Sequence, residues 1–154
     1  NNYEISKLLI ENKADINAQD DMKNNPFLYS GAEGQLDILK LLVKAGADTK
    51  ITNRYGGVAL IPASERGHTE TVKYLLENTD INVNHINNLG WTALLEAIIL
   101  GDGGKKHIEI TDLLLKHGAN PNIADKNGVT PLMHARERKY KEIENLLVKS
   151  GAEQ

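Results

Sequence analysis

The chain has 154 residues, with 18 Lys and Arg against 21 Asp and Glu, for a formal charge of −3 at pH 7. Hydrophobic residues make up 40% and charged residues 25%, the balance of one globular domain able to bury a core without staples. The absence of cysteine removes disulfides, thiolate metal sites and Cys nucleophiles, mild acidity gives no general pull toward nucleic acid, and apolar runs of at most four residues (Val58 to Ile61, Ala97 to Leu100) exclude membrane insertion by a helix.

In chain order the first signal is Ile5, Leu8 and Leu9, an i, i+3, i+4 set that predicts one apolar face of an amphipathic helix. The triplet returns at Ile38, Leu41, Leu42, then as the variant Thr71, Tyr74, Leu75. It follows again at Ile110, Leu113, Leu114 and at Ile143, Leu146, Leu147. First members are 33, 33, 39 and 33 residues apart. A second series predicts a shorter helix ahead of each full copy, at Pro26-Phe27, Ala59-Leu60, Ala93-Leu94 and Pro131-Leu132, in steps of 33, 34 and 38. Two agreeing registers make the repeat the main feature of the chain.

The copies share their punctuation. Lys13 to Asn17, Ala45 to Asp48 and His117 to Asn120 follow the longer helices, with Gly46 and Gly118 where a helix ends in left-handed geometry. Asn53 to Gly56, Asn87 to Gly90 and Asp125 to Gly128 are turn signals. Thr92 and Thr130 stand as N-caps, with Pro131 at a first helical position. Each unit therefore reads as turn, short helix, tight loop, longer helix and extended return, and must stack on its neighbours to bury its apolar face.

The run Asp125 to Ala135, followed by an Ile-x-x-Leu-Leu helix, closely resembles the ankyrin repeat, as do Gly67 to Leu76 and Lys44 to Asp48. The resemblance spans the chain as one domain, 1–154: a half-repeat at 1–19, then repeats at 20–52, 53–86, 87–124 and 125–154, the last a charged C-terminal cap. It implies an all-α ankyrin-repeat solenoid of stacked helix-turn-helix units with β-hairpin-like tips. Starting inside a repeat, the chain is expected to show an uncapped apolar edge and to continue a stack lying upstream; its natural end is expected near Gln154.

Three departures from the family pattern carry expectations. Leu28, Ile61, Leu95 and Met133 replace the family's usual histidine, so apolar packing should replace polar bridging there. Pro62 falls at the fourth position of its helix, where the missing N–H predicts a distorted first turn. One residue is added near Asp80 to Val83, and five after Gly101, where loop length is cheap.

Catalysis is not expected. The five histidines form no i, i+3 or i+4 pair that would make a helical metal face, and His68 and His107 stand at a position routine in this family. Ser30 and Ser64 have no His and Asp arranged beside them. The Gly-rich insert 101–106 reads as a plain loop. The alternative is a helix N-terminus cradling an anion, although the Walker spacing is absent.

By the resemblance, the binding surface is concave, made of tips and the exposed sides of the first helices. Carried over by register, it comprises Met22, Asn24, Ala32 and Glu33, then Arg54, Tyr55, Glu65 and Arg66. Asn88, Leu89, Trp91, Ile99 and Leu100 come next, then Lys126, Asn127, Val129, Glu137 and Arg138. Met22, Arg54, Tyr55, Arg66, Leu89, Trp91, Ile99, Leu100 and Arg138 are the candidate partner-binding residues. Tyr55, Leu89, Trp91, Ile99 and Leu100 would form an aromatic-centred patch rimmed by charge. Alternatively, Trp91 lies against a neighbouring tip, and Ile99 and Leu100 pack under the insert. Tyr3, Tyr29, Tyr74 and Tyr140 are assigned to packing.

The expected function is thus a non-enzymatic protein–protein interaction scaffold, without cofactor or metal and monomeric. Its expected partner is a protein, with neither nucleic acid nor membrane insertion involved. A regulatory or tethering domain of a longer polypeptide, or a small-anion sensor using the insert, are the alternatives. The cytoplasm is favoured over an exported form, which would need an upstream signal already removed.

Overall fold

A helix pair with an apolar inner face leaves that face wet unless another pair covers it, and the 33-residue period supplies the cover. The computed structural model describes residues 2–153; Asn1 and Gln154, the outermost positions of the expected half-repeat and cap, lie outside the described residues. Within them run α1 (Tyr3–Glu11), α2 (Pro26–Ala32), α3 (Leu36–Lys44), α4 (Leu60–Glu65) and α5 (Thr69–Asn78). After these come α6 (Ala93–Ile99), α7 (Lys105–Lys116), α8 (Pro131–Glu137) and α9 (Lys141–Lys149). The short helices α2, α4, α6 and α8 stack in one row; α1 packs on α3, and α5, α7 and α9 pack in series behind. No strand is present among the described residues. The architecture is the expected all-α solenoid.

The triplets fill the spine. Ile38, Leu42, Thr71, Leu75, Ile110, Leu114, Ile143 and Leu147 are buried, and the middle members Leu41, Tyr74, Leu113 and Leu146 are half-buried. Phe27, Leu60, Leu94 and Leu132 of the second series are fully buried between rows. On α1 the same triplet, Ile5, Leu8 and Leu9, is exposed, the apolar edge that the sequence predicts.

Helix ends explain the punctuation. After α3, the Ala47 N–H donates to Leu42 O (3.0 Å) and the Gly46 N–H to Val43 O (3.1 Å), with Gly46 at φ +85°. The same pair of bonds recurs after α1, α7 and α9 and satisfies their last carbonyls. Helix α5 ends without a glycine: the Thr79 hydroxyl donates to Leu75 O (2.6 Å) instead. The residue added near Asp80 lies just beyond.

At their starts, Asn25, Thr92 and Thr130 accept from the Leu28, Leu95 and Met133 N–H groups. In α4 the equivalent position is Val58, which has no acceptor. Tyr29, Glu96 and His134 donate their N–H groups to the cap carbonyl, each at 3.0 Å. Pro62 in that register has none to give. The Val58 carbonyl takes the Ile61 N–H instead (3.0 Å), a tighter i, i+3 turn, and α4 starts one residue late. The distortion expected from Pro62 is there, and Val58 compounds it.

Successive units are also tied by side chains. Asn17 Oδ1 accepts from the Asp48 N–H (2.9 Å), Asn84 Oδ1 from the Asn120 N–H (2.8 Å), and Asn122 Oδ1 from the Glu153 N–H (2.8 Å). Lys50 breaks this asparagine ladder. There, the Thr49 hydroxyl donates to Asp80 (2.6 Å), Lys50 pairs with the same carboxylate, and the Lys40 ammonium lies over the Tyr74 ring.

Removing a fully buried spine residue leaves a cavity, so Leu75→Ala or Leu114→Ala is expected to cost about 2–5 kcal/mol in urea unfolding. Val58→Thr is expected to stabilise by about 0.5–1 kcal/mol. Thr is nearly isosteric with Val, and Thr92 makes the missing cap bond at the same buried register. Unchanged unfolding of Val58→Thr would show that the α4 start is limited by Pro62 alone.

A candidate partner-binding groove

Each tip is built by one side chain. Asp20, Asn53, Asn87 and Asp125 receive two backbone N–H groups on Oδ1, from residues two and four positions on, at 2.8 to 3.0 Å. Their own N–H groups reach the carbonyls of Asn24, Gly57, Trp91 and Val129, which closes a hairpin-like loop without strand pairing. The fourth residue of each turn has positive φ. Gly56, Gly90 and Gly128 fill it in three copies and Lys23 (φ +58°) in the first. At Asp125, burial alone would raise the carboxyl pKa, but the Val129 N–H, His134 and the Asn127 N–H together hold it below the usual range.

The tips project beside the short helices and enclose with them a groove of about 400 Å³. Its walls are columns of residues at repeat spacing. Met22, Tyr55 and Leu89 form the tip column, Tyr29, Pro62 and Glu96 the floor, and Glu33, Arg66 and Leu100 the far edge. Six of the nine candidate binding residues meet here: Met22, Arg54, Tyr55, Arg66, Leu89 and Leu100. Leu100 is half exposed on the groove.

Three candidates stand apart from the groove lining. Trp91 is half-buried, its N–H and carbonyl both engaged with Asn87 in closing the tip. Ile99 is half-buried, and its carbonyl accepts from Arg138 Nη2 (3.0 Å), which ties the cationic head of Arg138 to the previous unit. Conversely, Tyr29, expected in packing, is half exposed in the groove. Its register mate Glu96 lies outside the expected set. Reading the helix position directly after Leu28, Ile61 and Leu95 as a groove column would have found both.

The charges in the groove differ in how they are satisfied. Arg54 lies over the Tyr55 ring, 4.7 Å from its centre, and donates to Tyr55 Oη (2.8 Å). Arg66 pairs with Glu33 and donates to Ala32 O. Glu96 is buried and accepts one bond, from Asn87 Nδ2 (2.8 Å). Burial, then the neighbouring Glu65 carboxylate, pushes its pKa up to about 7, against the opposing pull of Asn87.

The histidines serve the stack. His68 Nε2 bonds Ala32 O (3.1 Å) and His107 Nε2 bonds Glu65 O (2.9 Å), the same position one repeat on. Tyr140 continues the series by donating its hydroxyl to Gly101 O (3.1 Å). The insert is held in place. Asp102 accepts from the Gly104 N–H (2.8 Å) and pairs with His107 Nδ1 (2.7 Å), which ties the insert to the first turn of α7. Those two partners, the Gly104 N–H first, hold the Asp102 carboxyl below its usual range. Gly103, at φ +66°, abuts the Tyr140 ring, where a Cβ would collide. No group of three or more His, Asp or Glu able to hold a metal occurs among the described residues.

A family model described as ankyrin repeats (3 copies) matches at residues 1–87, 29–124 and 83–154. The chain is similar to YahD of Escherichia coli (strain K12), 50% identical over 150 residues, which covers 97% of this chain and 75% of the relative. Its structure is similar to an ankyrin repeat domain from Acinetobacter baumannii AYE, with TM-score 0.97 and 59% identity, covering 99% of this chain and 77% of that one. It is also similar to the ankyrin repeat protein EF0377, with TM-score 0.92 and 41% identity over 96% and 74% of the two chains.

The raised pKa of Glu96 links stability to pH. Between the ordinary value of 4.5 and about 7, the unfolded chain has released this proton and the folded chain keeps it, so stability falls as pH rises. Glu96→Gln retains an acceptor for Asn87 and removes the titration. The variant is expected to gain about 2–3 kcal/mol over wild type at about pH 8 and nothing below about pH 4. Parallel unfolding curves across that range would refute the linkage.

Proposed function

The chain belongs to the ankyrin repeat family, and from that premise we propose that it is a non-enzymatic scaffold that holds a protein partner in the groove of tips and short helices. Ankyrin repeats are generally protein–protein interaction modules, and the family and fold are generally non-enzymatic. The observation that carries the finer reading is the row of half-exposed large side chains Met22, Tyr29, Tyr55, Leu89 and Leu100. All five line one concavity on a frame whose core is closed beneath them. Large apolar and aromatic groups held rigid at the centre of a polar surface are what a partner's side chains can desolvate at low entropic cost.

A Tyr55→Ala, Leu89→Ala double variant, verified as folded by circular dichroism, tests this. Used as bait in cell lysate beside wild type, it is expected to lose the captured partner, and affinity for the purified partner is expected to fall by about tenfold or more. Trp91→Ala, outside the groove lining, is expected to bind like wild type. Equal capture by wild type and the double variant would move the binding surface away from the groove.

A further inference from the structure

Resting on that groove as the binding surface, we propose that it is built to receive a basic side chain, Lys or Arg, from an extended segment of the partner. The cationic head sits against the carboxylates of Glu65 and Glu96, and the aliphatic stem lies along Ile61, Leu89 and Leu100.

Charge accounting within the groove leads there. Its two arginines are already occupied: Arg54 by the Tyr55 ring and hydroxyl, Arg66 by Glu33 and the Ala32 carbonyl. Its acidic groups are not matched in the same way. Among the described residues, no cation or hydrogen-bond donor reaches the Glu65 carboxylate. Glu96 is only 5% exposed, lines the groove floor, and has its second oxygen without a donor among the described residues.

Two neighbouring carboxylates repel, so the ionised form of Glu96 is costly unless a cation stands beside it. Among the described residues no cation of the fold does so. The basic groups on the neighbouring short helix α8 are engaged elsewhere: His134 with Asp125, Arg136 with Glu144 and Arg138 with Ile99 O. His107 of α7 is turned to Asp102 and to the Glu65 carbonyl. A cation that complements the ionised pair therefore comes from outside, through the open side of the groove. Lys and Arg carry a stem of three or four methylenes behind the charge, which suits apolar walls leading to an acidic floor. A wholly apolar occupant would seal the two carboxylates from water without compensation.

The test is selection of a random short-peptide library on the full chain, followed by a double-mutant cycle with a recovered peptide. Recovered peptides are expected to share one Lys or Arg. Replacing that residue by uncharged norleucine is expected to weaken binding to wild type by about tenfold or more. On Glu96→Gln, which still accepts from Asn87, and on Glu65→Gln, the same replacement should weaken binding far less. A full loss that persists on both variants overturns the proposal. So do recovered peptides without a shared basic residue whose binding is lost on the Tyr55→Ala, Leu89→Ala variant, an outcome that leaves the groove as binding surface intact. Peptides indifferent to that double variant overturn the groove itself, and the basic-side-chain reading with it.

Discussion

Everything in this molecule depends on one constraint: a single helix pair has two apolar faces and only one partner helix to cover them. The uncovered face must meet the next pair, at the same height and rotation each time, or the leucines of one unit miss the gaps of the next. That requirement sets the 33-residue period and tolerates added length only where the chain leaves the stack. Of the five residues after Gly101, three sit in the loop between α6 and α7 and Lys105 and Lys106 open α7, and the residue near Asp80 follows the end of α5. Neither disturbs the buried positions, because loop extension costs little entropy and a shifted core costs several kcal/mol.

The polar groups keep that registration. Carbonyls at the ends of the short helices would be orphaned if each unit closed on itself. Instead they are satisfied from the next unit, Ala32 and Glu65 by His68 and His107, Ile99 by Arg138 and Gly101 by Tyr140. On the returning segments Asn17, Asn84 and Asn122 accept backbone N–H groups of the next unit. Where the ladder is interrupted at Lys50, a hydroxyl, an ion pair and a cation over an aromatic ring take over.

Regular stacking also turns sequence columns into surface columns. Positions facing the concave side recur every repeat, so Met22, Tyr55 and Leu89 align although 67 residues separate the first and last. Within those columns the residue types vary freely, since none is needed for the spine. The floor column runs Tyr29, Pro62, Glu96. Its cost to stability is visible in Pro62, which forfeits a backbone bond, and in Glu96, a carboxyl buried beside a second carboxylate.

The sequence by itself determined the repeat, its period, the buried triplets, the N-caps Thr92 and Thr130 and the distorted first turn at Pro62. These are properties of spacing and of single residue types, and they follow from periodicity and backbone chemistry alone. Only the tertiary structure decided which side chains share the groove. Trp91 spends its backbone closing a tip, Ile99 and Arg138 bond to each other, and Tyr29 and Glu96 turn toward the concavity. It alone also placed Asp102 against Gly104 and His107, and Glu96 beside Glu65. Such facts depend on what approaches from neighbouring repeats, and proximity across units about 33 residues apart is created by packing.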